Sequence, residues 1–413
     1  MTLSTTALDV ISQLAGIQPG SPLAELRAQR PEAMLHAQGS YAALFDADDI
    51  GDLSTLERLA TALRVATLHL ATSAAAHYRA RLVDAGAGPE VAAAEVVVPL
   101  VADAAGTRTL DAPAVSPRLR AILRHADVLA FAPAHARPGD LQALADVGLS
   151  VRAIVTLSQV IAFVSFQVRV LRALQLLGAE SADAQSARTA PSPPPSPSGR
   201  AGLAEPPAQI IPPDPQLKRP TAFTVDQLEW SPWLQPLELA DANPKQAAAL
   251  EGTRGNSPYF RLLARDIDIL TERTATDRGI FYTPGGAPRA DRELSAAATS
   301  RLNGCIYCAS VHARLAAQLG KRPADIDRLL LKGVVPGTEL GLDDRWQGVV
   351  DLAVALAPTP PVATTQHVAQ LREIGLSDLE ILDIAQAGAF FAWANRLMLT
   401  LGEPYYATPE VAS

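Results

Sequence analysis

The sequence predicts an all-α protein made of two tandem, related helical domains. Three observations carry that expectation. Apolar residues recur at helical spacing, glycine and aromatic residues are too sparse for a strand-and-turn architecture, and the two halves of the chain repeat one another. A hydrophobic content of 48% with 19% charged residues is that of a globular protein, and 26 glycines with 5% aromatics argue against a β-sandwich. At roughly 100–200 residues per domain, the 413-residue length fits two or three domains.

Charge and cysteine usage narrow the function classes. Lys+Arg 35 against Asp+Glu 43 leaves a net charge of −8, so no global field draws the chain to phosphate backbones or anionic lipid. Neither nucleic acid nor membrane is an expected partner. Met1 to Gly20 has no Lys or Arg ahead of an apolar run, so it does not read as a secretory signal, and the cytoplasm is the expected compartment. Two cysteines exclude a disulfide scaffold and any Cys₃ or Cys₄ zinc site within one chain.

Along the chain, a first domain is expected over 1–180. Its early part aligns with the second half at a shift of 236 residues, which pairs Ser21-Pro22 with Ser257-Pro258, Leu26 with Leu262, Phe45 with Phe281 and Glu57 with Glu293. Its later part aligns at a shift of 227, which pairs Arg118 with Arg345, Pro133 with Pro360, Gly148-Leu149-Ser150 with Gly375-Leu376-Ser377, Gln159 with Gln386, Phe163 with Phe390 and Arg169 with Arg396. The first copy therefore carries the longer middle loop. Ala153 to Val168 is the longest uncharged apolar stretch. It falls short of the ~20 residues a bilayer needs and reads as a buried helix that starts near Ser150.

Residues 181–216 are rich in Pro, Ser and Ala, centred on Ser192-Pro193-Pro194-Pro195-Ser196-Pro197-Ser198-Gly199, and read as an extended, mobile linker. A second domain is expected over 217–413. In it, Arg292 to Leu302 reads helical, Asn303-Gly304 ends that helix, and a new one begins at the cysteines. Near the C-terminus Ser377 and Glu380 form a capping-box signature ahead of an apolar helix, and Gly178 and Gly402 stand where C-terminal glycines belong.

The informative segment runs from Glu293 through Cys305 and Cys308 to His312. With Cys305 in the first turn of a helix, Cys308 at i+3 and His312 four residues further share its face. The Asn303-Gly304 turn folds the preceding helix back and brings Glu293, twelve residues before Cys305, toward the same side. A helix N-terminus and an imidazole favour a thiolate, the species that attacks peroxide. A second cysteine captures the sulfenic acid as a disulfide, which an external reductant reopens. The expected roles are Cys308 as attacking thiol, Cys305 as resolving thiol, His312 as proton shuttle and Glu293 as its orienting carboxylate.

These residues resemble the alkylhydroperoxidase D-like proteins of the carboxymuconolactone decarboxylase superfamily. That family carries a Glu, a CxxC twelve residues later and a His four residues beyond the second Cys, as Glu293, Cys305, Cys308 and His312 do here. The resemblance extends over the second half, including Phe390-Phe391-Ala392-Trp393-Ala394-Asn395-Arg396, which looks like the peroxidase-related branch. Between the cysteines, where family members often have a histidine, this chain has Tyr307. The resemblance implies an all-helical homo-oligomer that reduces hydrogen or organic hydroperoxides through the cysteine pair. The implied electron donor is a dithiol such as a lipoyl protein or a thioredoxin-like protein, and no cofactor or metal is called for.

Competing readings stay open at this level. A CxxC pair by itself is a weak signal that an inert buried pair would also give, and with His312 and a fourth ligand the cysteines could hold zinc; Glu293 and His312 at matching spacings favour the redox reading. In the first copy the cysteine positions fall on His69 to Ser73, which contains no sulfur, so thiol chemistry is not expected there. An acid–base site of the decarboxylase type, built from Glu57, Arg64 and His77, is the alternative enzyme reading, and a redox-sensing module that does not turn over is the non-enzymatic one. Arg169 and Arg396, inside apolar helices, are expected to need carboxylate partners. Phe390 and Trp393 read as core, and His36, His125, His135 and His367 as solvated or capping residues.

Overall fold

The computed structural model describes residues 9–95, 115–179 and 205–407. The centre of the expected linker and most of the first copy's longer loop lie outside them. The described chain is all-α apart from one two-stranded antiparallel sheet, β1 (Leu228–Pro232) and β2 (Gly402–Tyr406).

Each long helix starts where local chemistry dictates. The Ser150 side chain accepts from the Ala153 N–H and opens Val151–Gly178. Ser377 and Glu380 form a reciprocal capping box ahead of Asp378–Leu401. These two helices occupy equivalent places in the repeat and pack against each other at the centre. The Trp393 indole, fully buried, donates from Nε1 to Gln159 Oε1 at 2.8 Å, and its ring meets Phe163 and Phe166 at 5.3 and 5.5 Å between centroids. Truncating such a ring costs about 3–5 kcal/mol. Val151–Gly178 is long and apolar enough to cross a membrane, but its most apolar 18-residue window is wholly buried inside the protein.

A second reciprocal contact joins the helices Pro31–Phe45 and Ile267–Phe281, which stand 236 residues apart at both ends. A Cβ added at Gly279 would lie 2.5 Å from the Ala33 nitrogen, so only glycine lets the two backbones approach this closely. His36 Nδ1 lies 2.8 Å from Glu272 Oε2 across the contact. At its edge Arg30 binds Asp383 through Nε at 2.6 Å and Nη2 at 2.7 Å, with both side chains buried. The halves therefore share one continuous core.

Two expectations need correcting. The end of the linker is not free chain: the Ala208 N–H donates to the Leu149 carbonyl at 2.9 Å, and Ile210 pairs with Leu234 as an antiparallel bridge. Gly402 does not cap its helix in the left-handed conformation. Its φ is 175°, and it runs straight into β2, where a Cβ would lie 2.3 Å from both the Ser231 carbonyl and the Trp230 ring. Trp230 donates from Nε1 to the Met398 carbonyl at 3.1 Å, which seals the small sheet onto the last helix.

Candidate functional site

The site is assembled at one turn between two helices. Arg289–Leu302 ends at Asn303, Gly304 reverses the chain at φ +79°, and the Cys305 N–H closes the turn on the Ser300 carbonyl at 2.9 Å. A Cβ on Gly304 would lie 2.6 Å from that of Ala134, so a residue of the first half covers this turn. The next helix is Ile306–Gly320 with Cys305 as its N-cap, one position earlier than expected, which places Cys308 in the first turn. Both cysteines are reduced and buried, and their sulfurs lie 3.0 Å apart. A disulfide needs 2.03–2.05 Å, so closure takes about 1 Å of movement. Burial, reinforced by the neighbouring Cys308 sulfur, pushes the Cys305 thiol well above its ordinary pKa.

Glu293 sits fully buried in the middle of Arg289–Leu302. Its Oε2 lies 2.5 Å from His312 Nδ1, and its Oε1 accepts from Arg289 Nε at 2.5 Å. Burial works to raise this carboxyl, but the hydrogen bonds and charges of His312 and Arg289 outweigh it, and the pKa lies below the usual value. A carboxylate on Nδ1 fixes the imidazole's orientation and leaves Nε2 for other work. Phe391 holds the ring edge-on at 4.0 Å between centroids, and Phe281 flanks it at 6.1 Å. His312 keeps 16% of its side chain exposed, one turn along the helix from Cys308.

The structure thus brings Glu293 to His312 and Cys305 to Cys308, on two helices that pack against each other. Sequence reading missed Arg289, whose only signal is its place four residues before Glu293, and the two phenylalanines around His312. A cavity of about 180 Å³ opens onto Cys305. Trp230, Met398 and Leu399 line it, with the Arg219–Glu403 ion pair among its walls. Among the described residues, no group of three or more His, Cys, Asp or Glu side chains is placed to hold a metal ion.

The first half holds a corrected counterpart. Its helix Thr55–Leu68 and turn residue Leu70, at φ +54°, match Arg289–Leu302 and Gly304 at a shift of 234, two residues short of the shift that aligns the preceding helices. Glu57 therefore corresponds to Asp291, not to Glu293. Each binds the equivalent arginine, Glu57 to Arg118 at 2.6 Å and Asp291 to Arg345 at 2.7 Å. Arg58 corresponds to Arg292, and they donate from Nη1 to the equivalent carbonyls of Leu44 and Ile280, each at 2.8 Å. In this register Leu59, Ala71, Ala74 and Tyr78 stand where Glu293, Cys305, Cys308 and His312 stand. None of the four reactive groups survives.

The proposed trio of that half is also dispersed. Glu57 binds Arg118, Arg64 binds Asp127 at 2.7 Å, and His77 Nε2 lies 2.7 Å from the Tyr41 hydroxyl. Among the described residues, Arg169 and Arg396 take no carboxylate partners; they bond chiefly to backbone carbonyls. His125 is neither solvated nor capping: it is buried, and among the described residues neither ring nitrogen finds a hydrogen-bond partner. His367 does cap, at the start of Thr365–Glu373.

Residues 268–339 match the model of the carboxymuconolactone decarboxylase family. No curated protein matches the chain. Among solved structures, the chain is similar to an alkylhydroperoxidase AhpD core, an uncharacterized peroxidase-related protein from Ralstonia eutropha JMP134. The identity is 25% and the TM-score 0.33, over 40% of this chain and 86% of that one.

Proposed function

We propose, from the premise that residues 268–339 are a carboxymuconolactone decarboxylase family segment, that the second half is a thiol-dependent peroxidase for hydrogen or organic hydroperoxides. The observation that carries this reading is the Glu293–His312 hydrogen bond, set one helical turn from a cysteine whose sulfur lies 3.0 Å from a second thiol.

The Cys308 thiolate attacks the outer oxygen of ROOH. An S–O bond forms, the O–O bond breaks, and the alkoxide leaves as alcohol with a proton from His312. Glu293 stabilises the charged imidazole, and Arg289 holds the carboxylate. The Cys305 sulfur then displaces water from the Cys308 sulfenic acid, and the disulfide closes. A dithiol donor, such as a lipoyl or thioredoxin-like protein, returns two electrons.

Peroxide consumption in the presence of a dithiol donor tests the proposal. Catalytic turnover that disappears in Cys308→Ser is the expected result. Oxidation that stops after one equivalent replaces the enzyme with a redox-sensing module. Activity that survives loss of both cysteines replaces it with decarboxylase-like acid–base chemistry.

A further inference from the structure

The fold builds the hollow beside Cys305 twice. Under the register that matches the two helix pairs, Gly304, Cys305, Ile306 and Tyr307 correspond to Leu70, Ala71, Thr72 and Ser73, and these four line a second cleft of about 190 Å³. Met398 and Leu399 of the first cavity correspond to Leu171 and Arg172, which line the second. Where one copy has a thiol, the other has Ala71, and Thr72, Ser73, Gln175 and Arg172 share the lining, with Arg172 held at the cleft by Nε and Nη2 donating to the Ala363 carbonyl at 3.1 and 2.7 Å.

The charge around this second cleft is one-sided. None of the described residues that line it is acidic. His69, in its wall, donates from Nδ1 to the Val65 carbonyl and accepts at Nε2 from Arg169 Nη1 at 2.9 Å, so the ring is neutral. Arg169 and Arg396 are both buried, each has an Nε without a partner, and among the described residues neither is hydrogen-bonded to a carboxylate. Buried cations ordinarily sit against an anion, and a field from groups shielded from solvent is little screened. The cleft adjoins this charge through His69, which lines it and contacts Arg169, and Arg172 adds a cation to the lining itself.

We propose that this cleft binds a small carboxylate, its head between Arg172 and the hydroxyls of Thr72 and Ser73 and a short alkyl tail against Val168, Leu171 and Pro360. At about 190 Å³ the cleft is smaller than the ~300–1,000 Å³ of drug-sized sites, which limits the ligand to a few carbons. The site is independent of the cysteine chemistry, and the first half becomes a ligand-binding copy of a fold whose sister carries thiols.

Calorimetric titration of the full-length protein with butyrate, its neutral isostere butyramide and inorganic phosphate tests the proposal. Butyrate is expected to bind saturably and butyramide at least about tenfold more weakly. Gln175→Glu places a like charge in the cleft from an exposed position and is expected to weaken butyrate at least about tenfold with an unchanged unfolding temperature. Arg172→Gln gives a second, independent loss. Absence of butyrate binding, equal binding of butyramide, or a Gln175→Glu protein that binds normally overturns the proposal. Binding of phosphate in place of butyrate overturns the carboxylate assignment.

Discussion

Arg169 donates from Nη2 to the Ala357 carbonyl at 2.5 Å, reaching from the first half of the chain into the second. Arg396 returns the contact, donating from Nη2 to the Ala130 carbonyl at 3.0 Å. Donors and acceptors are related by the same 227-residue shift, so the two bonds are one interaction made twice about a pseudo-two-fold axis. The halves are packed as two copies of one unit would pack in a symmetric pair. The cysteine turn lies under this arrangement, because Ala134 of the first half touches it.

Replacing Glu293 with glutamine keeps a side-chain oxygen beside His312 and removes the charge. Proton transfer by a positioned residue is worth about 10²–10⁴-fold. Peroxide turnover in Glu293→Gln is expected to fall by roughly 10²-fold while the circular dichroism spectrum is unchanged. Activity within twofold of the parent would show that the carboxylate does not support the imidazole.

The cysteines should fail differently. Cys308→Ser is expected to consume no peroxide, whereas Cys305→Ser reacts once and stops at a sulfenic acid that a dimedone probe labels on Cys308. Mass spectrometry of the parent after one equivalent of peroxide should find a Cys305–Cys308 bridge. Labelling of Cys305 in the Cys308→Ser protein would reverse the two roles.

Gly304 is required by contact more than by conformation. Leu70 adopts φ +54° at the equivalent turn, so the fold tolerates a side chain in this backbone region. Alanine at Gly304 puts its Cβ 2.6 Å from that of Ala134, and a clash in a packed site costs about 1–3 kcal/mol. Urea unfolding should show that loss in Gly304→Ala and partial recovery when Ala134→Gly is added. Equal losses in the single and double variants would remove Ala134 from the account.

His125 makes the protein acid-sensitive. Burial lowers its pKa from 6.5 to about 4, so the unfolded chain binds the proton more readily than the folded one. Above pH 6.5 the ring is neutral in both the folded and unfolded chain, and stability is lost as pH falls from there toward 4, by about 3 kcal/mol at the most. Because neither ring nitrogen has a partner among the described residues, His125→Leu sacrifices no hydrogen bond there and is expected to make the stability profile shallower between those pH values, while His77, lowered by burial to about 4, and His69, lowered further, keep the remaining slope. An unchanged profile, measured by chemical unfolding across the range, counts against this residue.

How much the sequence disclosed depended on whether a contact has a local period. The spacing of Cys305, Cys308 and His312 is one helix face, and the Asn303-Gly304 turn is visible as a dipeptide, so their neighbourhood could be read from residue order alone. The partners of Arg169 and Arg396 are backbone carbonyls, which carry no residue signature, and carboxylates were expected in their place. Matching Glu57 to Glu293 was attractive because the letters agree. The ion pairs of Glu57 and Asp291 reveal the two-residue slip that the letters hide. Strand β2 was missed because five residues after a long apolar helix have no alternation strong enough to announce a partner some 170 positions earlier.

The reciprocal arginine contacts matter for more than cohesion. Two separate identical chains would have to change together, since every inherited alteration appears on both sides of the axis at once. Joined in one polypeptide, the copies stay associated at any dilution and are free to drift apart. One can lose its sulfur, acid and imidazole while still buttressing the sister that kept them.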